Sequence, residues 1–318
     1  MSRALVLGSG GQTALGWEVG VLEGLAAGGV RIDGWDFIVG SSAGSIVGSW
    51  VAAGRLHEVH QQLASADPAI DRAAMAAGMG NHLPNLLAVS GPVGRAAVGV
   101  WTLGVIFRRL VGAARLRGVR SLPSVAAVFA RYLGPEGLSV RELTALAPLS
   151  VGQRQRQIPG WEAYWAARLE PVTVWPASRL GIVAFCPDTS ERRVFESRDG
   201  IPLTRAIAAS FAVPGIIGAV EIGGQHYVDY FPHDSTSADL AAGFDDVLVL
   251  APDTNPGELA RSLPRLESEG VRVRVVEPSD RASFGERIEH LDAMRVPAAV
   301  ALGFRDGRAA AERLQGLN

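Results

Sequence analysis

Residues 36–48 read DFIVGSSAGSIVG. Phe37-Ile38-Val39 is a short apolar run without polar alternation, the pattern of a strand buried on both faces. The segment SIVGSWVAAG that follows has helical character and closes at Gly54. Between them stands Gly40-Ser41-Ser42-Ala43-Gly44, a G-x-S-x-G corner centred on Ser42. This pattern gains meaning only with a strand before it and a helix after it, and both are expected here. The glycines permit a strained turn that holds a serine hydroxyl out at a helix N-terminus, where backbone N–H groups stabilise developing negative charge. A tight turn using its serines as helix caps needs the same residues and performs no chemistry.

The neighbouring sequence favours the first use. ALVL (4–7) reads as another buried strand, followed by the loop GSGGQTALG and the helical WEVGVLEGLAAGG. Strand, loop and helix repeated within some fifty residues predict parallel strands joined by helical crossovers. Successive strand ends of a parallel sheet share one edge. The loop Gly8-Ser9-Gly10-Gly11 is therefore expected beside Ser42, offering bare N–H groups in the manner of an oxyanion hole. Such a loop also suits phosphate. However, the full dinucleotide pattern is missing, and the next strand ends in the serine corner instead of an acidic residue.

Beyond residue 180 the α/β pattern resumes. LGIVAFC and RRVFES are expected strands, IPLTRAIAAS a helix and QHYVD a short strand. DDVLVLA and VRVRVVE flank the helical PGELARSLPRLESEG, and the chain from about residue 284 looks helical. The stretch 68–171 differs: it looks mainly helical and is broken by prolines. The expected fold is α/β, a mainly parallel central sheet between helices. It forms one domain over 1–318, with a helical insertion or cap at 68–171.

Composition excludes several chemistries. The chain of 318 residues has thirty basic residues, all arginine. Schiff-base chemistry, a P-loop lysine and lysine general bases are thereby removed. Cys186 is the single cysteine, so neither a disulfide framework nor a cysteine-based metal site is available. The net charge of −2 is neutral on the question of nucleic acid, but the lack of a basic stripe with interleaved aromatics argues against it. No secretory signal is recognisable and no apolar run reaches membrane-spanning length, so a soluble cytoplasmic protein is expected.

A serine nucleophile needs a base. Of the histidines, His290 follows the serine as an α/β-hydrolase order requires, but it sits in the charged helical run ERIEHLDAMR. The nucleophile also comes early for that fold, on the second strand. The segments LVLGSGGQTALGWEVGVLEGL (5–25), VGSSAGSIVG (39–48) and AASFAVPGIIGAVEIGGQHYVDYFPHDSTSADLA (208–241), in this order, resemble the patatin-like phospholipases. The resemblance covers roughly 4–53 and 181–251. It implies a serine acyl hydrolase of the lipase or phospholipase A type, with a Ser–Asp dyad, no histidine, no cofactor and no metal. Carried over by motif, Ser42 is the nucleophile and Asp229 its base. Gly10 and Gly11 fall where the family builds its oxyanion hole. A free aspartate is a weak base, with a pKa of about 3.9, and burial against apolar walls would raise it.

Two departures stand out. Thr13-Ala14 occupy the end of the glycine loop, where the family usually has Arg or Lys followed by Gly. Asp229 is followed by Tyr230-Phe231, where the family usually has glycine. If that glycine serves a positive φ, tyrosine there brings strain. Asp234 and Asp239 are nearby substitutes for the base. The alternatives to the dyad are a catalytically impaired lipid- or acyl-binding protein on the same fold, and a Ser-His-Asp esterase using His290 or His233. Within the insertion, Trp101 and Phe107 precede Arg108 and Arg109, a combination that suits peripheral contact with a lipid interface. A buried cap helix followed by a solvated arginine-rich helix is its other use. Oligomeric state, headgroup and acyl length have no signature in the sequence.

Overall fold

The computed structural model describes residues 1–65, 67, 139–144, 158–170, 172–214, 217–231, 233–253, 256–281 and 293–314. Most of the expected insertion, including Trp101, Phe107, Arg108 and Arg109, lies outside these residues, as do His82 and His290.

The chain opens with β1 (Arg3–Leu7), α1 (Gly11–Ala27), β2 (Phe37–Ser41), α2 (Ala43–Ala52) and α3 (Leu56–Ser65). Next among the described elements come α4 (Ile158–Leu169), inside the stretch expected as an insertion, then β3 (Leu180–Cys186), β4 (Glu191–Phe195) and α5 (Leu203–Ser210). A hairpin of β5 (Val220–Ile222) and β6 (Gln225–Tyr227) precedes β7 (Asp246–Leu250), α6 (Pro256–Ser268), β8 (Arg272–Val276) and α7 (Val296–Ala311). The main sheet runs β4-β3-β2-β1-β7-β8. Its pairings are parallel apart from β3 with β4. The chain thus builds outward from β1 on one side and then returns to its other side. The loop after β1 sits at this reversal, where open α/β sheets place their ligands.

Alternation along β1 explains its unbroken apolar sequence. Leu5 and Leu7 enter the core on one face of the sheet, while Ala4 and Val6 enter the core on the other. A strand covered on both faces has no solvent side to record as polar residues. The β5–β6 hairpin stands apart from the main sheet. The sequence reading recovered only its second strand. Gly223 and Gly224, both at positive φ, form its turn, as a two-residue hairpin requires. Among the described residues no helix is long and apolar enough to cross a membrane.

The C-terminal helix docks on α1 through a ridge of glycines. Gly16, Gly20, Gly24 and Gly28 recur every four residues and so fall on one face of α1. A Cβ on Gly20 would lie 2.2 Å from Val300 O, and one on Gly24 2.3 Å from Phe304 O. The fit is reciprocal: a Cβ on Gly303 would lie 2.1 Å from Trp17 O, and one on Gly307 2.1 Å from Val21 O. Trp17 Nε1 donates to Asp306 Oδ2 at 2.7 Å and fixes the register. The helix that carries the glycine loop at its N-terminus is thereby held along its length.

This packing makes opposite expectations separable. Helix propensity alone would make Gly20→Ala stabilising by about 1 kcal/mol. The backbone clash predicts the reverse, a loss of at least about 2 kcal/mol, in the range of overpacked sites. Urea unfolding of the variant decides, and a gain in stability would contradict the packing.

Candidate active site

The serine corner folds as a sharp turn between β2 and α2. Ser42 takes φ 50° and ψ −114°, a conformation that costs a non-glycine residue on the order of 1–3 kcal/mol. The surroundings impose it. Ser42 N–H donates to Ser210 Oγ at 2.8 Å. Ser42 O accepts from Ser45 N–H at 3.0 Å and from Ser45 Oγ at 2.5 Å. Gly44 N–H donates to Gly8 O at 3.0 Å, joining the turn to the glycine loop. The flanking glycines are required by space. A Cβ on Gly40 would lie 2.2 Å from Gly44 O, and one on Gly44 2.3 Å from Leu7 O. Ser41 belongs to β2, and its hydroxyl is buried without a hydrogen-bond partner among the described residues.

The glycine loop lies alongside. Gly10 adopts φ 143° and Gly11 φ 64°, conformations that favour glycine. Gly10 caps α1, and neither the Gly10 nor the Gly11 N–H has a hydrogen-bond acceptor among the described residues. Unsatisfied N–H groups at a helix N-terminus are donors aimed at an anion. A guanidinium reaches this loop from a distant element. Arg168 on α4 donates through Nη2 to Gln12 Oε1 at 3.1 Å, and Gln12 Nε2 donates to the Tyr164 hydroxyl at 3.3 Å. A basic group therefore adjoins the loop although Thr13 and Ala14 supply none.

Asp229 is placed by main-chain contacts on both sides. Val228 bridges to Phe185 on β3 with hydrogen bonds of 2.8 and 2.9 Å, and Asp229 N–H donates to Ala212 O at 3.0 Å. The residues joined to Ser42 and Asp229, Ser210 and Ala212, thus lie two positions apart at the end of α5. Asp229 is 1% exposed. Its Oδ1 accepts from Phe231 N–H at 2.9 Å, while Oδ2 is buried without a well-directed hydrogen bond. Burial pushes its pKa up to about 7, against the downward pull of the Phe231 N–H, the Ser42 hydroxyl and the Tyr230 N–H. Ser42 is thus close enough to influence Asp229 without an ideal bond to it. Catalytic hydrogen bonds commonly tighten only once substrate is bound.

Tyr230 brings no backbone strain. Among the described residues the non-glycine positions at positive φ are Ser42, Ser190 and Ser237. The Tyr230 ring stacks on Phe185 at 5.6 Å, with the His233 ring edge-on at 5.0 Å. The other acids considered for the base are engaged elsewhere. Asp234 Oδ1 accepts from the N–H groups of Thr236 and Ser237. Asp239 makes a two-pronged pair with Arg192 at 2.7 and 2.6 Å.

The sequence reading missed Ser210, Arg168 and Glu18. Glu18 on α1 is 0% exposed, and its Oε1 accepts from Gly8 N–H at 2.7 Å. Its sequence setting, an acid amid an apolar helix, is a signal that could have been read. No group of three or more metal-binding side chains occurs among the described residues.

Comparison with known proteins gives the family. The family model of the patatin-like phospholipases matches residues 5–229, from the first strand to the aspartate of the site. No curated protein matches the chain. Among solved structures it resembles VipD from Legionella pneumophila at 12% identity, with a TM-score of 0.38 over 96% of this chain. It spans 66% of that protein's length. By the family match, which takes in well over half of its residues, the chain belongs to the patatin-like phospholipase family.

Proposed function

We propose that this protein hydrolyses lipid acyl esters through a Ser42–Asp229 dyad. The observation that carries the reading is the buried carboxyl of Asp229 beside Ser42, with a pKa of about 7. An ordinary aspartate takes a serine proton poorly. One poised near the working pH is a competent general base.

The steps follow from the positions. Asp229 takes the proton of the Ser42 hydroxyl as Oγ attacks the ester carbonyl carbon. The carbonyl π pair moves onto oxygen, and the Gly10 and Gly11 N–H groups stabilise the resulting anion. The intermediate collapses, the C–O bond to the alcohol breaks, and Asp229 returns its proton to the leaving oxygen. An acyl group is now esterified to Ser42. Water, deprotonated by Asp229, attacks this ester, and collapse releases the fatty acid and restores the Ser42 hydroxyl. The strained turn serves both halves by holding Oγ in one place. The ordinary backbone of Tyr230 supports an active site over an impaired one, since the altered neighbour leaves Asp229 anchored on both sides.

Three measurements test the reading. With p-nitrophenyl butyrate as substrate, Ser42→Ala should abolish turnover, whereas Ser41→Ala should retain most of it. Asp229→Asn should lower kcat by at least about a hundredfold, as expected when a nucleophile loses its base. Comparable activity in Asp229→Asn and the parent protein would remove Asp229 from the mechanism.

The pH profile has a definite sign. Asp229 acts when ionised, so kcat/KM should rise with pH and level off above about 7. A profile flat between pH 5 and 8 would be inconsistent with this base.

Stability should move the other way. The folded-state pKa lies above the unfolded value, so stability present below about pH 4 is lost as pH climbs towards 7. A rise from 3.8 to about 7 corresponds to roughly 4 kcal/mol. Asp229→Asn escapes this loss. Its unfolding free energy should match the parent protein near pH 4 and exceed it at pH 8. Equal pH dependence in both proteins would show that Asp229 is not held in a desolvated site.

A further inference from the structure

We propose that Glu18 is a positioning residue for the oxyanion hole: its Oε1 holds the Gly8 N–H and so sets the direction in which the glycine loop leaves β1. The proposal rests on the hydrolase reading for its catalytic part and on geometry for the rest.

Gly8 is the junction of four elements. Its N–H is shared between Leu250 O on β7, at 3.1 Å, and Glu18 Oε1 on α1, at 2.7 Å. Its carbonyl accepts from Gly44 N–H, one residue beyond Ala43 and two beyond the nucleophile. Two residues further along, Gly10 and Gly11 carry the free N–H groups. Between Gly8 and the first turn of α1 the chain has little intrinsic stiffness, because glycine confines φ and ψ weakly. A small displacement of the donors from the developing oxyanion lowers catalysis steeply.

Satisfaction of the Gly8 N–H does not require Glu18. Leu250 O already accepts from it, as the parallel pairing of β1 with β7 dictates. The second acceptor pulls that N–H towards α1, and the carbonyl on the same residue is the one that holds Gly44. The carboxyl is also an expensive way to fill a core position. Glu18 is 0% exposed, and its Oε2 is buried without a hydrogen-bond partner among the described residues. An apolar side chain of the same volume would avoid that penalty. Burial raises the Glu18 pKa well above the ordinary value, opposed only by the Gly8 N–H, and no charged side chain contributes. In the bond to Gly8, Oε1 is the acceptor. An amide carbonyl can replace it in that role.

Two variants of the full chain test this. Glu18→Met keeps the volume and removes the acceptor. Glu18→Gln keeps an acceptor at the same reach and removes the acid. The readouts are amide hydrogen exchange across residues 8–13 and kinetics on p-nitrophenyl butyrate. Glu18→Met should speed exchange in the loop at least tenfold while leaving α7 (Val296–Ala311) unchanged. It should lower kcat at least tenfold, with KM within about twofold and thermal stability maintained. Glu18→Gln should stay within about threefold of the parent protein in both readouts. Unchanged exchange and kcat in Glu18→Met would overturn the proposal. So would a loss in Glu18→Gln as large as that in Glu18→Met, since the acid itself would then be needed. If the parent protein shows no Ser42-dependent hydrolysis, the hydrolase reading has failed separately, and loop exchange alone decides the role of Glu18.

Discussion

The hydrogen bond from Gly44 N–H to Gly8 O joins two strand ends that each carry half of the proposed catalytic arrangement. Gly8 follows β1 and leads into the N–H donors of Gly10 and Gly11. Gly44 follows β2 and sits two residues beyond Ser42. The contact is achievable only because both partners are glycine: a Cβ on Gly44 would lie 2.3 Å from Leu7 O, and one on Gly8 2.8 Å from Pro252 Cδ. Adjacent parallel strands place the two loops on one edge, and this hydrogen bond turns proximity into fixed geometry. Asp229 then joins from the opposite side, carried by the Val228–Phe185 bridge at the end of β3.

The site is built against stability, and the remainder of the molecule offsets it. Ser42 holds a strained backbone, Asp229 a desolvated carboxyl and Glu18 a second one. Each lies where an apolar or relaxed residue would make a better core. The support comes from rigid neighbours. The sheet is covered on both faces, and α1 is clasped by α7 so closely that main chain meets main chain along its glycine ridge. An interior packed this tightly resists local rearrangement, which keeps Ser42 and Asp229 from relaxing into easier conformations.

Much of this scaffold was legible in the sequence, and the reasons are physical. Strands buried on both faces appear as continuous apolar runs, so β1, β2, β3 and β7 were readable directly. The corner at Ser42 announced itself because close approach leaves glycine as the fitting residue at 40 and 44. Asp229 was a different matter. Within HYVDYFPHD it ends the expected short strand whereas Asp234 looks like a turn residue, but the family resemblance is what selected it as the base. Its buried setting comes from Ala212 and Phe185, contacts formed between segments distant in sequence. Glu18, Ser210 and Arg168 act through the same kind of long-range contact. The sequence reading passed over the four-residue spacing of the glycine ridge, whose partner, Gly303 and Gly307, lies some 280 residues away. The strain anticipated at Tyr230 is absent because the backbone after Asp229 takes an ordinary φ.

The central claim is that Ser42 is a nucleophile activated by Asp229. Labelling with a fluorophosphonate, followed by peptide mass spectrometry, addresses it most directly because the adduct stays on the attacking atom. The account predicts a single adduct on Ser42, forming faster as pH rises to about 7 and greatly slowed in Asp229→Asn. Ester hydrolysis that proceeds while the adduct forms on another residue, or labelling of Ser42 at an undiminished rate in Asp229→Asn, would contradict it.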